Sequence, residues 1–409
     1  MLVVCMLKEW LNNYTNVQNK SVAIIGAGIS GAYTAYYLAQ RGYDIYVIDK
    51  NQDIAQGASG NPQAILYYSS SGRDIYLDEM FEIGYKNSSN LITQLMTPNI
   101  HYNNSGSIHI ANNQRLMRQH TNIIKRRLTN FELHHNDLDI VKNEYNTYLI
   151  DKKSIWLRPA VLIAKLLSHP KITVLTNTCV LKISITNQDW QLSLNNTNNL
   201  TVGNIVICTG FELNNFSQIN ELPVIPNSGQ ISLIPKFNTL NKILCFGGYL
   251  TPAIDNYHCL GATYHPNQIK QNISAQDHYF NLHQLNSILD KQLLIDVNSL
   301  NGRVSTRGTT SDYYPIIGPV TTYQLFKQTY YRLGYNPKQR INIQCPYLPG
   351  LYLNIAHGSK GMLSSSFAGQ LISQYITNQS ITCTNELRQK VHPHRFWLKR
   401  LIYENNNSH

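Results

Sequence analysis

The order of apolar and polar positions repeats one theme along the chain. Val22-Ala-Ile-Ile25 is a short apolar run of the kind that forms a buried strand, residues 32–40 carry apolar side chains at helical spacing, and Asp44-Ile-Tyr-Val-Ile48 is apolar again. Together they predict one strand–helix–strand unit of a parallel sheet. Residues 204–210 predict another buried strand ending in a turn. Residues 351–355 predict a third, followed by the turn Ala356-His-Gly-Ser-Lys-Gly361 and a helix over about 362–375. Between them lie segments rich in Val, Ile, Tyr and Thr, with strands expected at 231–234 and 243–249. The pattern implies an α/β fold: a Rossmann-like domain built from discontinuous segments (20–85, 150–220 and 335–378) and a mainly antiparallel α+β substrate domain (86–149 and 221–334). Residues 1–19 read as an N-terminal extension and 379–409 as a basic tail.

The first strand–helix junction carries Gly26-Ala-Gly28-Ile-Ser-Gly31, with Asp49 closing the next strand. Gly26 permits a tight turn, Gly28 lets a pyrophosphate approach the backbone, and Gly31 allows close helix–strand packing. The helix start offers N–H groups to phosphates, and Asp49 can accept from a ribose hydroxyl. Both FAD and NAD sites use this fingerprint. Two further glycine segments, Gly57-Ala-Ser-Gly60-Asn-Pro-Gln63 and His357-Gly-Ser-Lys-Gly361, favour FAD. A flavin needs a second, distant helix N-terminus to stabilise negative charge on its reduced ring.

Composition narrows the setting. The 409 residues are 43% apolar and 14% charged, which supports a large core and excludes a disordered polyelectrolyte. A net charge of +11 makes the surface attractive to polyanions. The seven cysteines form no CxxC pair and most sit in apolar runs, so a reducing cytoplasm is expected. Met1 to Leu7 lacks the basic and cleavage regions of a secretory signal, and no uncharged apolar run approaches the roughly 20 residues that span a bilayer. The sequon at Asn13 carries little weight. His392-Pro-His394 has no further ligands at metal-binding spacing, so no metal is expected.

A wider set of segments makes the chain similar to the D-amino-acid-oxidase-like FAD oxidoreductases, a family that includes glycine oxidases. These are Gly57 to Tyr67, Ser228-Gly-Gln-Ile-Ser232, Gly248-Tyr-Leu-Thr-Pro252, Leu260-Gly-Ala-Thr-Tyr264, Arg307-Gly-Thr-Thr-Ser-Asp312 and His357 to Gly361. Within that family it most resembles the C-terminal oxidoreductase domain of the bifunctional tRNA 5-methylaminomethyl-2-thiouridine biosynthesis proteins. Pro62 and Ser228 stand where that group commonly has Arg, and Ala64 where it has Gly. About 20 residues precede Val22, so the group's methyltransferase domain is expected to be missing. The resemblance implies noncovalently held FAD, because no cysteine lies between Arg303 and Gly318, where similar sarcosine oxidases place the linking Cys. It carries cofactor contacts to Gly26, Ala27, Gly28, Ile29, Ser30, Gly31, Asp49, Lys50, Gly57, Ala58, Ser59, Gly60, Gln63, Val180, Thr209, Gly210, His357, Gly358, Ser359, Lys360, Gly361 and Met362.

The implied reaction, on a CH–NH donor, removes the carboxymethyl group from 5-carboxymethylaminomethyl(-2-thio)uridine at the tRNA wobble position, giving the aminomethyl uridine and glyoxylate. A separate SAM-dependent methyltransferase would then act on that product. Arg307 is the expected carboxylate partner, with Arg303 its understudy; no general base is evident. The alternative is an oxidase of a free amino acid such as glycine, sarcosine or a D-amino acid, and a third class is an RNA-binding module without chemistry, which the retained glycines argue against. Lys125-Arg-Arg127 reads as a solvated helix face. The tail combines Arg388, Lys390, Arg395, Lys399 and Arg400 with Phe396-Trp397, which suits either RNA or docking on the domain.

Overall fold

The structure, a computed structural model, describes residues 17–67, 74–125, 131–135, 140–145, 147–196, 199–237, 239–339, 341 and 343–406. Residues 1–7, Cys5, the Asn13 sequon, Arg126 and Arg127 lie outside them. The chain divides into two compact units, each made of separated segments.

The first unit comprises the chain up to Gln56, Ile163–Ile225, and Arg307 onward. Its centre is a six-stranded sheet in the order Ile316–Pro319, Leu351–Ile355, Asn204–Ile207, Ser21–Ile25, Asp44–Ile48, Ile172–Leu175. The pairings are parallel except at the first edge, where Ile316–Pro319 runs antiparallel to Leu351–Ile355. The central strands are apolar on both faces: one packs under the helices Ile29–Ala39 and Gly361–Ile376, and the other, with Ile25, Ile207 and Leu353, against Trp190, Phe326 and Trp397. The two helices approach closely at Gly369, where a Cβ would come within 2.8 Å of the Tyr33 carbonyl carbon. A small antiparallel sheet (Val180–Thr186, Asp189–Leu194, Asn199–Val202) adds the buried Trp190 to the core.

The tail belongs to this unit. After helix Asn385–Val391, helix His394–Asn406 inserts Phe396, Trp397 and Leu401 into the core, and the Trp397 indole donates to the Thr321 carbonyl. These aromatics are packing residues, with Trp397 1% exposed, and offer no stacking surface to a base.

The second unit comprises Gly57–Leu162 and Pro226–Thr306. A largely antiparallel nine-stranded sheet dominates it, and its pairing of Ile243–Cys245 with Ser107–Ile110 is parallel. Ile108, Leu244, Leu260, Leu285 and Ile288 form its core with helix Ala275–Asn286. The strand expected over 243–249 is instead a hairpin, Ile243–Cys245 and Tyr249–Leu250, because Gly247 turns the chain at φ +102°. The unit divisions fall near residues 57, 163, 226 and 307 rather than 85, 150, 220 and 335. Ala64–Leu66 pairs with Ile155–Leu157, which holds residues 57–67 in the second unit; Ile316–Pro319 pairs with Leu351–Ile355, which returns residues from 307 to the first.

Candidate active site

Three groups of residues form around the glycine segments, two in the first unit and one in the second. In the first group, strand Ser21–Ile25 ends in a turn with little room for a side chain. Gly26 has φ +116°, and a Cβ there would lie 2.6 Å from the Cys208 carbonyl oxygen. A Cβ on Gly31 would lie 1.9 Å from the Gly26 carbonyl oxygen, so helix Ile29–Ala39 begins directly against the turn. Gly28 gives the helix no side-chain cap, and its first turn holds no acid, so its positive end suits an anion such as a pyrophosphate. Ala27 N–H donates to Asp49 Oδ2 at 2.7 Å, while Asp49 Oδ1 accepts from the Asn51 N–H and Nδ2, both at 2.9 Å. A carboxylate accepts about four hydrogen bonds, which leaves a position on Oδ2 for a ribose hydroxyl. The chain leading into Val180 closes on the same turn: Asn177 N–H donates to the Asn51 carbonyl and Thr178 N–H to the Asp49 carbonyl. Lys50 is exposed and paired with Glu212. Ser30 bonds Ser365 across the two helices.

In the second group three turns meet. Gly210 (φ +71°) follows Thr209 after strand Asn204–Ile207, and its carbonyl accepts from the Ala356 N–H at 3.3 Å. A Cβ on Gly308 would lie 2.5 Å from that same carbonyl oxygen, and one on Gly358 would lie 3.5 Å from Thr309 Cγ2. Residues 209–210, 307–309 and 356–358 are thus brought together. The Arg307 side chain, half-buried, makes no hydrogen bond or ion pair among the described residues. Asp312, the acid nearest to it in sequence, is held by Arg395 at 2.9 and 3.1 Å. Ser359, Lys360, Gly361 and Met362 lead into helix Gly361–Ile376, whose start also lacks a side-chain cap and an acid.

His357 stands between these turns with a structural task. Burial pushes its pKa down to about 3, so the imidazole is neutral. Its Nε2 lies 2.7 Å from Asn354 Oδ1 and its Nδ1 2.8 Å from Ser364 Oγ; Asn354 Nδ2 donates in turn to Thr34 Oγ1 at 2.9 Å. The chain Thr34–Asn354–His357–Ser364 ties the strand Leu351–Ile355 to both helices. Sequence reasoning missed Asn354 and Thr34. Its signal was a lone amide inside the apolar run Leu-Tyr-Leu-Asn-Ile, which a fully buried strand accepts only if the amide is bonded.

The third group lies in the second unit. Arg303 donates from Nη2 to the Gly57 carbonyl at 2.5 Å and from Nη1 to Asn61 Oδ1 at 3.3 Å. Gly60 N–H closes the loop onto the Gly57 carbonyl, with Ala58 and Ser59 at its tip. Arg303 is therefore a clamp on the glycine loop, whereas the Arg307 guanidinium has no partner among the described residues. Gln63 is 4% exposed, and its Oε1 has no partner, an acceptor awaiting a donor. Ser228, at a position where Arg was expected, is fully buried, donates to the Gln268 carbonyl and accepts from the Lys270 N–H. Within the first unit, the uncapped helix starts and the glycine cradle fit the phosphates of a flavin dinucleotide; within the second, Gln63 offers a buried acceptor.

His392 and His394 are buried beside Tyr347 and Cys345, and no cluster of three or more metal-ligating side chains exists among the described residues. No described helix is long and apolar enough to cross a membrane.

Comparison with known proteins gives the family and the fold. The family of FAD-dependent oxidoreductases matches residues 21–375. The bifunctional tRNA 5-methylaminomethyl-2-thiouridine biosynthesis protein MnmC of Stutzerimonas stutzeri (strain A1501) is 30% identical over 401 residues, covering 94% of this chain. The chain spans 60% of the length of that relative. Among solved structures, glycine oxidase from Geobacillus kaustophilus shares the fold at 17% identity and a TM-score of 0.68, covering 89% of this chain and 96% of its own. Iminodiacetate oxidase from Chelativorans sp. BNC1 does so at 18% and 0.71, covering 89% and 97%.

Proposed function

The chain belongs to the FAD-dependent oxidoreductase family, and on that premise we propose that it oxidises the carboxymethylaminomethyl group of a tRNA wobble uridine. The substrate carries a glycine attached through its nitrogen. Arg307 carries the reading: a half-buried, unpartnered guanidinium in the segment packed on Gly210 and Gly358 is a ready bidentate partner for that carboxylate. FAD, held noncovalently, supplies a hydride acceptor when bound.

Everything else falls to the polypeptide. In the first unit Gly26 to Gly31 and Asp49 hold the dinucleotide; in the second, Arg303 fixes the Gly57–Gln63 loop, which carries the buried acceptor of Gln63. The start of helix Gly361–Ile376 stabilises negative charge at the flavin end, at the turn that His357 and Asn354 keep in place. Arg307 orients the glycyl carbon. That carbon loses a hydride while the nitrogen loses a proton, the C–N bond becomes an imine, and water hydrolyses it to glyoxylate and the aminomethyl uridine. A desolvated site favours the unprotonated amine this requires. The protein acts in the cytoplasm, and a separate SAM-dependent methyltransferase acts on its product.

The test is mass spectrometry of wobble nucleosides from tRNA before and after incubation with the pure holoprotein. The expected result is loss of the carboxymethyl mass with release of glyoxylate, and flavin recovered in the supernatant after acid precipitation. Unchanged nucleosides beside brisk turnover of glycine, sarcosine or a D-amino acid would overturn the tRNA reading and establish the free amino acid, which presents the same carboxylate to Arg307.

A further inference from the structure

The tail is a poor place to bind a polyanion. Arg395 is spent on Asp312, Arg400 is paired with Glu221 and Glu404, Lys399 lies 3.6 Å from Asp312, and Arg388 is 5% exposed against Tyr375. The second unit offers the opposite case in helix Gln114–Lys125. It contains Arg115, Arg118 and Lys125 and no acid at all. All three are exposed and, among the described residues, make no ion pair. Glu132, in the neighbouring strand Phe131–His135, is occupied by Lys152 and His134.

The three cations form a stripe. Spacing of three and ten residues at 100° per residue puts them within about 80° of one another, along roughly 15 Å of helix. The opposite side holds Leu116, His120 and Ile123, the last 6% exposed. Burial pushes His120 down to about 4, so it adds no charge there. The helix is seated beside the Gly247 turn, where Leu116 and Asn113 lie 3.9 Å from the position of a Gly247 Cβ, and Asn113 caps the Leu116 N–H. Arg115 is the informative residue. It sits in the first turn, where the helix dipole disfavours a cation, and neither an acid of that turn nor an ion pair among the described residues compensates it. A polyanion laid along such a stripe would offset the repulsion within it.

We infer that helix Gln114–Lys125 is a docking surface for the phosphate backbone of the RNA substrate; the inference rests on the tRNA reading above. Charge complementarity selects this occupant. An interfacial membrane helix would need a continuous apolar face, whereas here the exposed apolar side chains are Met117 and Ile124, among Gln114, Gln119 and Thr121.

The experiment compares wild-type holoprotein with the R115Q/R118Q double variant, using bulk deproteinised tRNA across a salt series. Two lost phosphate contacts should flatten the log–log salt dependence by about 1.4–1.8 and weaken binding roughly 25- to 60-fold at 0.1 M salt. Flavin content and the unfolding midpoint should stay at wild-type values, since both side chains are solvent-exposed. An unchanged slope with wild-type affinity would overturn the docking surface while leaving the tRNA reading intact. Wild-type protein that binds no tRNA would overturn both. Binding of anionic-lipid vesicles in preference to tRNA, lost in the variant, would replace RNA by a membrane surface.

Discussion

Replacing Arg307 with alanine separates a substrate contact from a structural one. The guanidinium has no partner among the described residues, so its removal orphans no buried group in the free protein. The cost to stability should then stay within about 0.5 kcal/mol. In the substrate complex the same change leaves a desolvated carboxylate without its cation, which costs about 2–5 kcal/mol, or roughly 30- to 5,000-fold in kcat/KM. Arg303→Ala should behave in the reverse way. It breaks the bonds to the Gly57 carbonyl and Asn61, costing about 1–3 kcal/mol that appears in the unfolding midpoint and flavin content. The assay measures turnover of tRNA bearing the carboxymethylaminomethyl uridine, flavin absorbance per chain, and thermal unfolding for both variants. Arg307→Lys should recover part of the rate, because it restores the charge without the fork. Wild-type kcat/KM in Arg307→Ala would refute the assignment. So would a loss of flavin and stability large enough to explain the rate.

Other outcomes follow from the same geometry. Gly31→Ala places a Cβ 1.9 Å from the Gly26 carbonyl oxygen, so the helix start must shift; overpacking of about 1–3 kcal/mol should lower both the unfolding midpoint and the FAD retained on purification, and wild-type values for both would count against the cradle. His357→Leu orphans Asn354 Oδ1, at about 1–3 kcal/mol by thermal unfolding. Because the folded imidazole titrates near 3 against about 6.5 unfolded, the wild type loses stability as pH falls from 6.5 toward 3, and the variant's stability curve should lack that component. Burial raises the Glu404 pKa, but bonds to Lys327, Tyr323 and Arg400 outweigh it and hold the carboxyl down to about 2. Glu404→Gln should therefore destabilise the tail helix above pH 4.5 and lose that effect as pH falls toward 2, read by hydrogen exchange across residues 394–404.

The parts legible in the sequence are those in which neighbours along the chain are also neighbours in space. The turn Gly26–Gly31 and Asp49 are separated by one helix, so periodicity and glycine spacing expose the whole unit. The second glycine turn, around His357, is legible for the same reason. The sequence pattern puts residues 57–67 in the wrong unit because the strand that claims them, Ile155–Leu157, lies about ninety residues away, and nothing in Ala64–Leu66 announces that partner. The tail misleads by composition: five cations with Phe396 and Trp397 describe an RNA surface and a docked amphipathic helix equally well. Only the acids Asp312, Glu221 and Glu404, two of them remote in sequence, decide between them. Arg303 and Arg307 look alike as residue types four apart, and what each touches separates them.

The threading of the first unit has a consequence for how the protein is made. Strand Ser21–Ile25 needs Asn204–Ile207 on one side, and that strand needs Leu351–Ile355 on its other side. At roughly 5–20 residues per second, ribosomes deliver the first and last of these strands about 17 to 70 seconds apart. Throughout that interval the nascent chain carries apolar strand edges with no partner to cover them. Under the function proposed above, capture of the flavin would then be a late event of biosynthesis. A chain arrested before residue 351 would hold the Gly26–Gly31 turn without the His357–Gly361 turn, so FAD should copurify with completed chains and not with arrested ones.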